Sequence, residues 1–308
     1  MTLLGPSNDQ LTSILSELGE KQNTLEQNIN ILKTWLTFQP HLPQSIDENI
    51  LRSFLRGCKH NVERAKKKID SYYAGRGAVP ELFTDRDPYS KEIQTGSHVL
   101  NAFLLPRLTP SGCRVTVHRF NSFDPDKLNV QCIFKYLLMM ADVRLIEETA
   151  IVGDIYLFDL QDIMLMHCAK LATPLLKKTL VLAQEAYPQR LKEIHVFNAP
   201  PFVDWILNVF KALMKEKMRN RFYVHHGHET LHQYVPREIL PAEYGGKEKS
   251  CRELQDDWSR KLETYQEWFR KEESVKADEE KRPNKDIHQK LNDLMFGSEG
   301  AFRRLSID

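Results

Sequence analysis

Residues 151–160 read IVGDIYLFDL, and this strand-like run sits in the middle of a repeating order of elements. Upstream, CRVTVHRF (113–120) places Val115 and Val117 on one face, the period-two pattern of a strand. Between the two lies a helical stretch, Val130–Glu148. Downstream, a helix over Pro174–Ala186 leads to the strand EIHVFNAP (193–200), and a helix over Phe202–Arg219 leads to FYVHHG (222–227). Strands alternating with helices of about ten residues or more build β-α-β units, so the expected fold class is α/β with a mostly parallel sheet.

Working outward, residues ahead of this block read as helical. Leu11, Ile14, Leu15 and Leu18 recur at helical spacing, as do Leu25, Ile29, Leu32 and Leu36. Pro40 and Pro43 interrupt the pattern. A third helix carries Ile50, Leu51, Phe54 and Leu55 on one face, with Ser45 and Asp47 available as caps. A fourth runs from Val62 to Tyr73, with Gly75 and Gly77 expected to close the block. Beyond Gly246 the chain is highly charged, and Trp258, Leu262, Tyr265, Trp268 and Phe269 suggest an amphipathic helix packed on the body. The run KEESVKADEEKRPNKD (271–286) reads as a solvated linker, while DLMFGSEGAFRRLSID (293–308) regains apolar residues and is expected to dock back. The expected division is 1–80 helical, 81–247 α/β, and 248–308 a charged tail with an amphipathic helix.

The 308 residues, 41% hydrophobic and 28% charged, have an ordinary globular composition with a net charge of +1, so an acidic partner must be met by a local patch. No run approaches the ~18 apolar residues of a spanning helix. Neither a secretory signal nor a lipidation motif is evident at the ends, and the expected location is cytoplasmic. Cys58, Cys113, Cys132, Cys168 and Cys251 are scattered and read as free buried thiols.

Common chemistries fail on the residues. The G-x-S-x-G, Walker and G-x-G-x-x-G patterns are missing. His167–Cys168 invites a cysteine phosphatase reading, but Pro174 stands where the phosphate-binding arginine would be needed. HHGHETLH (225–232) is dense in imidazole, yet only His228 and His232 would share a helical face, with no accompanying cysteine. It reads as a strand end, a turn and a helix start. No catalytic residue, cofactor or metal is assigned.

Four strings resemble the CRAL-TRIO family, in the branch of the alpha-tocopherol transfer protein and the cellular retinaldehyde-binding protein: ILRSFLRGCKHNVERAKKKIDSYY (50–73), GDIYLFDL (153–160), AYPQRLKEIHVFNAP (186–200) and ILPAEYGG (239–246). The tail resembles insect-type members of that family more closely. The resemblance implies a sheet flooring an apolar cavity, roofed by a mobile helix, behind a small all-helical N-terminal domain. It places the cavity on Ile133, Tyr136, Leu137, Met140, Phe158, Leu171, Thr179, Leu182, Ala183, Tyr187, Leu191 and Ile194. The implied lid is Phe202, Val203, Ile206, Leu207, Phe210 and Met214, and here the residues agree independently, because their i, i+3, i+4, i+7 spacing makes one broad apolar face. Exposing five such side chains costs roughly 10 kcal/mol at ~1.5–3 each, so such a lid stays shut in water and opens against a bilayer.

Asp154 stands on the cavity strand, where a lone charge is costly to bury, so it is expected at the mouth or against a polar ligand group. The implied phosphoinositide-binding residues are Arg190, Lys192, Lys217 and Arg221, near the further cations Lys211, Lys215 and Arg219. The function so implied is a non-enzymatic intracellular carrier of a tocopherol, retinoid or similar isoprenoid. It would exchange its cargo during transient peripheral association with phosphoinositide membranes, with no nucleic-acid partner. A phospholipid-exchange protein of the same fold and a ligand-sensing regulatory adaptor remain as alternatives.

Overall fold

The computed structural model describes residues 2–121, 124–283 and 286–297. Helices α1 (Asn8–Leu18), α2 (Gln22–Thr37), α3 (Glu48–Gly57), α4 (Val62–Ala78) and α5 (Lys91–Val99) come first. Strands β1 (Leu100–Leu104) and β2 (Cys113–Phe120) follow, then α6 (Val130–Glu147), β3 (Gly153–Asp159), α7 (Leu165–Leu171), α8 (Pro174–Val181) and β4 (Leu191–Phe197). Next are α9 (Val203–Leu213), α10 (Glu216–Arg219) and β5 (Phe222–Val224). Helices α11 (Cys251–Glu263), α12 (Gln266–Glu272) and α13 (Asp286–Phe296) end the described chain.

Among the described residues the strands form one sheet in the order β1-β2-β3-β4-β5, parallel except for β1, which pairs antiparallel with β2. The α/β class with a mostly parallel sheet is therefore found. Strand β1 has no periodicity signal: LNAFL follows α5 without a turn residue, and Ala102, Phe103 and Leu104 are all buried.

Both faces of the sheet are covered, as a parallel sheet requires. Val115, Val117, Ile155, Leu157 and Phe197 share a core with Leu231, Leu240, Tyr244, Leu254 and Trp258 from the chain after β5. The opposite residues form cross-strand rows. Thr116 lies against Tyr156, which lies against Ile194; His118 lies against Phe158, which lies against Val196. This second face floors a cavity.

Helices α1, α3 and α4 start on good caps: Ser7 and Gln10 make a capping box for α1, Asp47 caps α3 and Asn61 caps α4. Helix α1 stands apart from the other three, burying Ile14 and Leu18 against Leu108 and Ala150 at the edge of the α/β body. Helix α4 does not stop at Gly75 but runs to Ala78. Gly75 is a contact residue: a Cβ there would lie 2.4 Å from Leu182 Cδ2, so the glycine lets α4 approach the turn after α8.

The expected solvated linker, of which residues 284 and 285 lie outside the described residues, keeps most of its side chains exposed but is tied down at a few points as a strap. Ala277 N–H donates to Tyr73 O at 3.0 Å and Asp278 N–H to His41 O at 2.8 Å. Arg282 is buried and bonds Asp70 at 2.7 Å. The strap leads to α13, whose Leu291 and Met295 are buried in the core shared by α4 and α8. Residues 293–297 thus dock as expected, and residues 298–308 of that expectation lie outside the described residues. All five cysteines are free and buried. Among the described residues no helix is long and apolar enough to cross a membrane.

Candidate ligand cavity and basic edge

A cavity of about 230 Å³ lies between the sheet face, α6, α8 and α9. Of the twelve residues assigned to it from sequence, Ile133, Leu137, Met140, Phe158, Leu171, Thr179, Ala183 and Tyr187 line it. Ala183 is also exposed, so the cavity approaches solvent beside the turn after α8.

The other four lie elsewhere. Tyr136 turns into the opposite core, where its hydroxyl donates to Ala102 O at 3.3 Å and accepts from Gln255 Nε2 at 2.6 Å. Leu182 packs on Gly75, and Leu191 and Ile194 are core residues walled off from the space. A period identifies the buried face of an element, not how far each residue on it lies from an empty volume.

The expected lid helix is shorter and broken. Ile206, Leu207, Phe210 and Met214 line the cavity; Val203 is buried outside it and Phe202 sits at the exposed start of α9. The expected single helix over Phe202–Arg219 divides at Met214 and Lys215, whose backbones are extended. No proline or glycine causes this. The Gln184 side chain bonds both sides of the break: its Nε2 donates to Leu213 O at 3.2 Å while its Oε1 accepts from Lys215 N–H at 3.0 Å. One amide thus satisfies the end of α9 and the start of α10.

Residues missed by the sequence reading complete the walls, among them Leu100, Leu104, Thr116, His118, Phe120, Tyr156, Val196 and Phe222. The signal was present in CRVTVHRF. With Val115 and Val117 on one face, Thr116 and His118 had to face the other way, into what the cavity floor became.

The charged groups around the cavity are mostly neutralised. Asp154 is buried, pairs with Arg144 at 2.7 Å and accepts from Arg190 N–H at 3.2 Å. It is therefore neither at the mouth nor free for a ligand, because the helix opposite supplies its countercharge. Glu148 accepts two bonds from Arg114, at 2.9 and 3.0 Å, and a third from Arg144 at 3.2 Å. Asp142 is fully buried and gathers Arg86 at 2.6 Å, Tyr187 OH at 2.7 Å, Tyr72 OH at 2.9 Å and Arg76 at 3.4 Å.

Arg190, Lys192 and Arg221 come together because β4 and β5 pair: Ile194 N–H donates to Arg221 O, and the Arg221 guanidinium bonds Leu191 O. Lys217 is exposed on α10. An acid already lies in this patch. Glu17 on α1 is 3.5 Å from Arg190, 3.7 Å from Lys192 and 3.0 Å from Lys59. Lys59 first, and then Lys192 and Arg190, hold its carboxyl below the usual range.

The remaining sequence candidates take structural places. His167 Nδ1 accepts from Met164 N–H at 3.1 Å, and burial pushes the Cys168 thiol up to about 11, the opposite of an activated nucleophile. His225 bonds His195 at 2.9 Å, and His232 bonds Tyr244 O at 2.9 Å.

Residues 100–246 match the family model described as CRAL/TRIO domain, and residues 21–93 match one described as Pinta-like, UBA domain. The Alpha-tocopherol transfer protein-like chain of Homo sapiens is 30% identical over 244 residues, covering 77% of this chain and 70% of its own. Clavesin-2 of Homo sapiens is 25% identical over 249 residues, covering 79% of this chain and 75% of its own. The solved chain of Sfh5 superposes with a TM-score of 0.49 at 16% identity, covering 76% of this chain and 92% of its own.

Proposed function

Because this chain belongs to the CRAL-TRIO family, whose members are lipid-binding and transfer proteins, we propose that it is a non-catalytic carrier exchanging one tocopherol, retinoid or similar isoprenoid at phosphoinositide-bearing membranes. The observation that carries this reading is the apolar cavity roofed by the apolar face of α9. A cargo burying about a dozen CH₂ groups gains roughly 10 kcal/mol on leaving water, at ~0.8 each. A bilayer offers a similar gain, so pocket-to-membrane exchange is near neutral while escape through water is slow. In this reading residues 81–247 hold the cargo, the described residues up to 80 brace the cavity from behind, and the described residues between 248 and 297 strap the two.

At about 230 Å³ the space lies just under the ~300–1,000 Å³ usual for small-molecule sites, so a whole isoprenoid cargo requires the lid to move outward, and a two-chain phospholipid requires it to move further. Native mass spectrometry of protein purified from its own source tests this. One neutral hydrophobic molecule per chain is expected; a phospholipid would favour the exchange reading. If no hydrophobic ligand is retained, even on titration with fluorescent retinoid or tocopherol analogues, the carrier reading fails.

Two surface features support membrane docking at the lid. Met164, Leu165 and Met166 are 39%, 59% and 51% exposed, on and just before α7, which packs beside α9. The basic edge lies at the far end of the same lid segment. Changing Arg190, Lys192, Lys217 and Arg221 to Ala should leave ligand affinity in solution nearly unchanged and weaken binding to phosphoinositide vesicles. Four cations near an anionic surface contribute up to about 4 kcal/mol, or roughly a thousandfold, before screening.

Glu17 must reduce that figure, since it spends part of Arg190 and Lys192 internally. Glu17→Gln is therefore expected to strengthen vesicle binding severalfold in a sedimentation assay. The control is Lys66 and Lys67 to Ala. Lys68 is unsuitable, because it is half-buried and bonds Gln184 O at 3.1 Å and Tyr187 O at 2.6 Å. Loss of vesicle binding in the control but not in the fourfold variant would put the headgroup site on another face.

A further inference from the structure

The cavity walls differ in what stands behind them. Helix α8 gives Leu176, Thr179 and Leu180 to the cavity, and Ala183 follows in the turn after it. Lys177 and Lys178 turn the other way, toward α13. Lys177 Nζ donates to Gly297 O at 2.6 Å, and Lys178 Nζ lies 4.8 Å from the centre of the Phe296 ring. Leu291 and Met295, four residues apart on α13, are each 3% exposed in the core that this helix shares with α4 and α8. Met295 and Leu182 both approach Gly75, where a Cβ would lie 3.9 Å from Met295 Cε and 2.4 Å from Leu182 Cδ2.

Helix α13 combines a light dock with a firm tether. At 11 residues it is shorter than the ~12–15 at which an isolated helix becomes stable in water, so its helical form depends on docking. The strap before it is anchored more strongly. Arg76 Nε donates to Val275 O at 2.7 Å, and the backbone bonds of Ala277 and Asp278 follow. Buried Arg282 pairs with buried Asp70 at 2.7 Å and with Glu279 at 2.5 Å, and Asp70 also bonds His41 at 3.1 Å. A buried ion pair resists loss of either partner, so the strap keeps α13 at high effective concentration beside its seat. That combination suits an element that detaches and returns locally, without global unfolding.

The cavity has a use for such an element. At about 230 Å³ it is smaller than the usual small-molecule site, so its walls must yield when cargo enters. Helix α8 has α13 directly behind it and cannot move outward until α13 gives way. We infer that the strap and α13 form a clamp on this wall: docked, α13 holds α8 inward and retains cargo; undocked, it lets α8 move out and cargo exchange. The clamp acts on a different wall from α9. The inference rests on the carrier reading above and adds a control over release.

The test uses the full chain. Leu291→Asp with Met295→Asp unseats α13, Arg282→Ala frees the strap, and Arg282→Lys keeps a cation beside Asp70. Ile14→Ala, in the separate core of α1, controls for a general loss of stability. Two quantities are measured: hydrogen exchange of the α8 amides without cargo, and release of a bound fluorescent tocopherol analogue into cyclodextrin. In the double variant both are expected to quicken on the order of tenfold. Arg282→Ala should move both in the same direction by less, and Arg282→Lys should recover most of the wild-type behaviour. Ile14→Ala should leave both near wild type even at an equal loss of Tm. If the double variant fails to fold, Arg282→Ala carries the test alone. Unchanged α8 exchange overturns the clamp whatever the cargo does, as does a rise no larger than that of Ile14→Ala at matched Tm. Faster α8 exchange with unchanged release makes α13 merely structural and overturns it too. If even the wild-type protein retains no analogue, the carrier reading fails and takes this inference with it.

Discussion

Asp142→Ala is expected to destabilise the fold by about 3–5 kcal/mol, the usual cost of removing one partner from a buried ion pair. Its carboxylate is the shared acceptor of Arg86, Arg76, Tyr72 and Tyr187, and all five side chains are almost wholly buried. Without it two guanidiniums would stay charged in the core, since arginine does not deprotonate in proteins. Against a typical total stability of about 5–15 kcal/mol, the loss would lower Tm by roughly 10 °C or prevent folding. Tyr187→Phe removes one bond and no charge, so about 1 kcal/mol is expected. Thermal unfolding of both variants checks the claim, which fails if Asp142→Ala melts within a degree or two of Tyr187→Phe. Because Tyr187 also lines the cavity, this hub ties α4 of the N-terminal block to the cavity wall. A partial loss should therefore also loosen ligand retention.

Phe210→Asp is expected to reduce ligand transfer between vesicles on the order of a hundredfold while leaving far-UV circular dichroism nearly unchanged. Phe210 lines the cavity from α9 and is only partly buried, so the folded state tolerates a change there better than at a closed core position. The new carboxylate would have to enter either the apolar cavity or the bilayer, at a cost of several kcal/mol. Each 1.4 kcal/mol is a tenfold change. Asn208→Asp puts the same charge on the exposed face of the same helix and should transfer at close to the wild-type rate. Equal transfer by the two variants, both folded, would mean that α9 is not the gate.

Much of this architecture is legible in the residues alone. The alternation in CRVTVHRF and the order of strands and helices after it specify the α/β class. The spacing of Ile206, Leu207 and Phe210 marks the cavity-facing side of α9, and Asp47 marks the start of α3. These are local properties: a strand or helix repeats its orientation every two or 3.6 residues, and a cap bonds within its own first turn. The neighbouring chain need not be known.

What depends on partners far away in sequence was decided only by the tertiary structure. Asp154 looked like an exposed or ligand-facing charge, and Arg144 across the cavity wall neutralises it. The helix over Phe202–Arg219 looked continuous, and it breaks where the Gln184 amide, some thirty residues upstream in the chain, bonds both of its parts. The 271–286 run looked like a free linker, yet its described part, though mostly exposed, is bound down by Tyr73, His41 and Asp70. Tyr136 and Ile133 lie on one helix, and only packing shows that one faces Gln255 and the other the cavity. Burial and charge balance are set by which surfaces meet, and a periodic pattern holds no record of what lies opposite it.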